Sequence, residues 1–248
     1  MKGVQRIVRR VPPSSRTALV AAAAAIVAIE HFVPFGRLLL YPFTLLSTWV
    51  HEMGHGLAAL AVGGTFERLE IFADASGLAY SSVVPGWRAA LSAAGGLLAP
   101  PLAGGLILGF AQGPRRAGAV LASLAAALVV SLALWVRNAT GLVSLLPLAL
   151  AAAAAARLGG DLRLFFAQFI AVVLSLDTLT RMLGYVFVST ARVGGVERAS
   201  DIALVARGFG GPQILWGLLV AAVALGLLAG GLWLAFRPRR PSSPLRTS

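Results

Sequence analysis

Three side chains set close together in an apolar stretch could do chemistry: His51, Glu52 and His55, within Ser47-Thr48-Trp49-Val50-His51-Glu52-Met53-Gly54-His55-Gly56. On an α-helix His51 and His55 stand about 40° apart in projection and one turn apart in height, so both imidazoles converge on one ion. Glu52 projects about 100° from His51 and about 60° from His55, on the flank of the pair. That donor set suits Zn2+ as cofactor. Zinc lowers the pKa of bound water to about 7 and polarises a carbonyl, and a flanking Glu52 takes the proton as general base. The chemistry implied is metal-assisted hydrolysis of an amide. The plainer alternative is two helical histidines bonded to nearby backbone, with Glu52 facing a water pocket. The setting argues against it: the chain has only 3 histidines, and a carboxylate inside an apolar span costs roughly 2.5–3.5 kcal/mol on insertion scales.

The elements that carry these residues belong in a bilayer. The 248 residues are 58% hydrophobic and 12% charged, against about 25% charged in soluble domains. The chain has no cysteine, which excludes a disulfide framework, thiolate metal ligands and a cysteine nucleophile. The net charge of +12 sits at the two termini and in short loops between apolar runs. That distribution fits contacts with anionic headgroups and the positive-inside pattern; it does not make a nucleic-acid patch, and no nucleic-acid partner is expected.

Along the chain, residues 1–16 form a basic, cytoplasmic N-terminal segment, and 17–33 an uncleaved first helix with Glu30 and His31 near its far end. Further apolar runs cover 36–62, 87–110, 117–136, 141–156, 162–188 and 212–236. Basic ends on both sides imply an even number of crossings, so one of the seven runs is re-entrant, interfacial or fused with its neighbour. The expected fold is an all-α polytopic membrane protein of six to seven transmembrane helices, multi-pass in the cell (inner) membrane, with 17–236 a single embedded domain. Pro100 and Pro101 require that their span be packed in protein. Residues 189–211 read as a polar loop with a short helix capped by Ser200 or Asp201, and 237–248 as a basic disordered tail.

Residues 65–83 alternate with period two around Asp74, Ser76 and Gly77, which predicts a small β-hairpin after the motif helix. Its unpaired edge offers a place for an unwound peptide to add as a strand, with Glu70, Ile71 and Phe72 expected to bind substrate; a plain connector is the alternative. Of the 9 acidic residues, only Glu52 and Asp177 lie deep in apolar runs. Zinc needs a third protein ligand, and Asp177 is the expected one. An i, i+4 ion pair with Arg181 is the competing account of Asp177, and Asp201 is the next candidate ligand.

Taken together, His51 to His55 on a membrane helix, the hairpin that follows, Ser92-Ala93-Ala94-Gly95-Gly96, a later aspartate at Asp177, and Ser200-Asp201-Ile202-Ala203 leading to Gly211-Pro212 and Trp216 resemble the site-2 protease clan. The likeness is to its M50B-like membrane zinc metallopeptidases without a PDZ domain. Two positions differ from that pattern: Thr178 follows Asp177 where the clan has Gly, and Gly96 stands where it has Pro. The resemblance implies an intramembrane endopeptidase that cuts transmembrane or juxtamembrane segments of membrane-protein substrates. The alternative is a non-proteolytic scaffold or pseudoprotease that binds a partner protein or a metal. Hydrolysis needs water, so a cavity is expected to open beside the hairpin.

Overall fold

In a computed structural model, residues 33–185 and 187–237 are described, together with positions 22, 23, 25, 26 and 29. For Arg37 and residues 177–185 the backbone alone is described. The expected helix at 17–33, with Glu30 and His31, therefore lies largely outside the described residues, as does the tail beyond 237. In chain order the elements are α1 (Gly36–Ala61), β1 (Thr65–Ile71), β2 (Gly77–Ser82), α2 (Trp87–Phe110), α3 (Pro114–Leu134), α4 (Ala139–Ala155), α5 (Gly160–Tyr185), β3 (Thr190–Val193), β4 (Val196–Ala199), α6 (Asp201–Phe209) and α7 (Gln213–Phe236).

The chain is mostly helical, and α2, α3 and α7 are long and apolar enough to cross a membrane; α4 is apolar but shorter. Large apolar side chains face outward around the bundle, with Leu106 63%, Val143 74%, Leu150 63% and Trp233 57% exposed. Water solvates so continuous an apolar surface poorly, whereas lipid tails solvate it well, which makes this a membrane protein. Since lipid gives helices no hydrophobic reason to associate, close packing of small residues does so. A methyl built on Gly54 of α1 would stand 2.5 Å from the Gly95 carbonyl oxygen of α2, and one on Gly105 would stand 2.7 Å from the Leu227 carbonyl oxygen of α7. Pro100 and Pro101 lie buried within α2, which runs through them.

Strands β1 and β2 form the predicted antiparallel hairpin, with Leu69 opposite Ala79 and Ile71 opposite Gly77. Strict alternation would put Phe66 and Leu69 on opposite faces, yet both are buried. A register shift between Phe66 and Arg68 absorbs the extra residue. The outer edge of β1 is not free. Leu69 N–H donates to the Trp135 carbonyl at 2.8 Å, Arg137 N–H donates to the Leu69 carbonyl at 3.3 Å, and the Asn138 side chain bonds both backbone groups of Ile71.

A second hairpin, β3–β4, stands where the polar composition of 189–211 points to a loop. Its turn is Gly194-Gly195, with φ of 55° and 82°, the left-handed pair that a two-residue hairpin turn demands. Ser200 then caps α6 by accepting the Ala203 N–H at 3.3 Å. Helix α6 lies against the start of α2, where a methyl on Gly208 would stand 2.5 Å from the Gly86 carbonyl oxygen.

Candidate metal centre

His51 and His55 sit one turn apart on α1, and their Nε2 atoms lie 3.1 Å from each other. Asp201, in the first turn of α6, brings Oδ2 to 3.1 Å from His51 Nε2 and 3.3 Å from His55 Nε2. His55 Nδ1 lies 2.9 Å from the Ser92 carbonyl of α2. A carbonyl only accepts, so Nδ1 carries a proton and Nε2 is the ring atom turned toward His51 and Asp201. Two imidazole nitrogens and a carboxylate oxygen thus converge on one point, a donor set that fits a cation. Ligands about 2.0–2.1 Å from a tetrahedral zinc stand about 3.3 Å apart, close to the separations found here. The Ser92 hydroxyl donates in turn to the His55 carbonyl at 3.1 Å, fixing α1 to α2 at the ligand itself. Gly96 lies against the same ring: any Cβ there would run into the His55 imidazole.

Glu52 is 6% exposed and points between α1 and β2. Its Oε2 accepts the Ala79 N–H at 2.8 Å, and its donor atoms and those of His51 and His55 lie within 4.8 Å of one another. Gly77 makes room for it, since a methyl there would stand 2.6 Å from Glu52 Cγ. Thr48, one turn earlier, donates its hydroxyl to the Ala75 carbonyl at 2.7 Å. The hairpin and the motif helix are therefore fastened together at the Glu52 carboxylate.

Burial alone would raise the Asp201 carboxyl, but His55 and then His51 beside it outweigh that effect and hold it well below the usual carboxylate range. The group stands ionised, and the amide-rich first turn of α6 favours the same charge. A cavity of about 460 Å³ leads to these side chains; Thr48, Gly77, Ala79, Ser92, Arg192 and Arg198 are among the residues that line it. It runs between β2 and the β3–β4 hairpin, so the expected polar opening beside the first hairpin is present.

His51, Glu52 and His55 are thus brought together as their spacing predicts. Asp177 lies in α5 with its side chain, like that of Arg181, outside the described residues; the carboxylate found beside both imidazoles is Asp201. The signal for Asp201 was local: a Ser N-cap followed by an acidic residue opening a short amphipathic helix. At the expected substrate edge, Glu70, Ile71 and Phe72 already have partners within the protein. Ile71 has both backbone groups bonded to Asn138, Phe72 N–H donates to the Ser76 carbonyl, and the Glu70 carboxylate accepts from Arg68 and Tyr80. The open edge belongs to β2.

The sequence profile of the Peptidase M50B-like family matches residues 17–231. The chain belongs to that family. Membership implies a membrane metallopeptidase, and the matched region contains every residue of the cluster. No curated protein and no solved structure matches the chain.

Proposed function

We propose that this protein is a zinc-dependent endopeptidase of the cell (inner) membrane, crossing it six or seven times, that cleaves transmembrane or juxtamembrane segments of other membrane proteins. The observation that carries the reading is the convergence of His51 Nε2, His55 Nε2 and Asp201 Oδ2 within 3.1–3.3 Å beside the buried Glu52. These three residues are the zinc ligands in this proposal. Zinc bound there would polarise the scissile carbonyl and acidify water.

The chain's own residues do the rest. Glu52 accepts the proton from water as its oxygen bonds to the carbonyl carbon, and returns it to the leaving amine as the C–N bond breaks. The Ala79 N–H holds one carboxylate oxygen of Glu52 and leaves Oε1 for this exchange. Because Leu69 directs both backbone groups away from β2, its partner Ala79 directs its own toward the cavity, and Gly77, two residues on, does likewise. The Gly77 N–H and C=O and the Ala79 C=O can therefore hold an extended substrate backbone, replacing the hydrogen bonds lost when a substrate helix unwinds.

Purified protein is expected to hold about one zinc per chain by elemental analysis. Asp201→Ala should release it and Asp177→Ala should retain it. The reverse result would return the third ligand to α5, and zinc retention by both variants would refute a carboxylate ligand altogether.

A further inference from the structure

We infer a second binding site, for the phosphate of an anionic phospholipid, at the helix ends where α3 begins, α4 stops and α5 starts. A cavity of about 460 Å³ opens there; Arg115, Arg157, Arg163, Ala119, Ala122 and Ala153 are among the residues that line it. Three arginines thus line one mouth. Among the described residues the ion pairs are His51 and His55 with Asp201, and Arg68 with Glu70; no carboxylate pairs with any of the three arginines. Arg163 is the most committed of them. It crosses α3 over Gly118, where a methyl would stand 3.1 Å from Nη1, and its Nε is buried with no hydrogen-bond partner.

A buried guanidinium nitrogen without an acceptor is costly, and a bound anion removes that cost. Phosphate oxygens suit it best, because they accept the paired N–H groups of an arginine fork. The same chemistry is offered by free inorganic phosphate and by a lipid headgroup. Two features select the lipid. The arginines stand at helix ends, the depth at which headgroups lie. The wall beneath them is alanine from two neighbouring helices, Ala119 and Ala122 on α3 and Ala153 on α4, an apolar groove that an acyl chain fills and an inorganic ion does not use. The site is separate from the metal centre, so lipid bound here acts as a fixed part of the bundle.

The test is native mass spectrometry of the full chain in detergent with phosphatidylglycerol, phosphatidylcholine or inorganic phosphate added. Wild type should retain phosphatidylglycerol over phosphatidylcholine, and Arg163→Gln should weaken that retention about fivefold. Arg157→Gln, an exposed position that does not threaten folding, should weaken it in the same direction, while Arg88→Gln, outside the cavity, should leave it unchanged. Ala122→Trp fills the groove and keeps the guanidinium groups, so it should expel phosphatidylglycerol. Equal retention of the two lipids by wild type, or undiminished phosphatidylglycerol on folded Arg157→Gln and Ala122→Trp, overturns the site. Displacement of the lipid by inorganic phosphate at equal concentration overturns the lipid assignment.

Discussion

Hairpin β1–β2 directs its hydrogen bonds into the rest of the protein: Tyr41 and Thr48 donate to the Ala73 and Ala75 carbonyls, Glu52 accepts from Ala79, and Asn138 takes both backbone groups of Ile71. Hairpin β3–β4 faces it across the cavity with strands of four residues each. Among the described residues its outward bonds are few. Gly194 N–H donates to Ser76 Oγ at 3.0 Å, and at its base Ser200 bonds the Ser189 and Val188 carbonyls. One wall of the cleft is built into the bundle, while the other is tied at its tip and base. The asymmetry suits the proposed cleavage of an unwound segment, for which a fixed edge would set the register of the scissile bond and an opposite wall would yield. Local stability follows the number of such buried ties.

The largest expected effect separates the two duties of Glu52, which holds the fixed wall and is the proposed base. Glu52→Gln retains an acceptor for the Ala79 N–H but cannot take a proton. Turnover should fall about 10²- to 10⁴-fold, with zinc content and thermal stability near wild type. A variant that loses its stability along with its activity would mean that the charge itself holds β2, and that the chemical role has not been isolated. Full turnover would remove Glu52 as the base and leave a binding role for the site.

Next in size is the outer tie of the fixed wall. Asn138→Ala leaves the N–H and C=O of buried Ile71 unpaired, and should destabilise the protein by about 2 kcal/mol in reversible denaturation. The matching substitution across the cleft, Arg192→Ala, removes one exposed bond to the Gly195 carbonyl and should cost less than about 0.5 kcal/mol. Equal losses at the two positions would abolish the contrast.

The metal should reduce the asymmetry. Asp201 follows Ser200, the residue that closes the base of β4, so fixing Asp201 fixes that base. Adding zinc to metal-free protein is expected to slow amide exchange in Thr190–Ala199 about tenfold, with little change in β1–β2. Asp201→Ala should remove the response. Protection spread evenly over both hairpins would show that the second wall is as well anchored as the first.

These contrasts also mark what could be read from residues alone. The histidine pair and Glu52 were legible because helical spacing places them without help from the rest of the fold. The first hairpin was legible because period-two alternation survives its single bulge. Asp201 stood only second to Asp177, since seeking carboxylates inside apolar runs favours long helices, whereas Asp201 opens a nine-residue helix after a polar hairpin. The closed edge of β1 depends on Trp135, Arg137 and Asn138, some 67 residues away at Ile71–Asn138, and no local pattern announces such a pairing. The Gly194-Gly195 turn did carry a signal, but four-residue strands are too short for alternation to rise above a polar loop.

The smallest expected effect concerns the tie between the two walls. The Ser76 hydroxyl donates to Asp74 Oδ1 at 2.6 Å and accepts the Gly194 N–H at 3.0 Å, so it joins the turn of β1–β2 to the tip of β3–β4. Ser76→Ala should cost less than about 1 kcal/mol, yet it should speed exchange of the Gly194 amide severalfold. The Asp74 carboxyl is held below its usual range, first by that hydroxyl and then by the Ser76 N–H. A depressed carboxylate contributes stability above its unfolded value of about 3.9 and loses the contribution as pH falls through the lower folded value. Gly194 protection in wild type should therefore hold from neutral pH down to about 4 and weaken below it. In Ser76→Ala the protection should already be low at neutral pH, and its acid dependence should flatten because the main cause of the shift is gone. Unchanged Gly194 exchange in that variant would show that the Phe72 ring packed on Gly194 holds the tip without the hydroxyl, and that the movable wall is tied by packing instead of by a hydrogen bond.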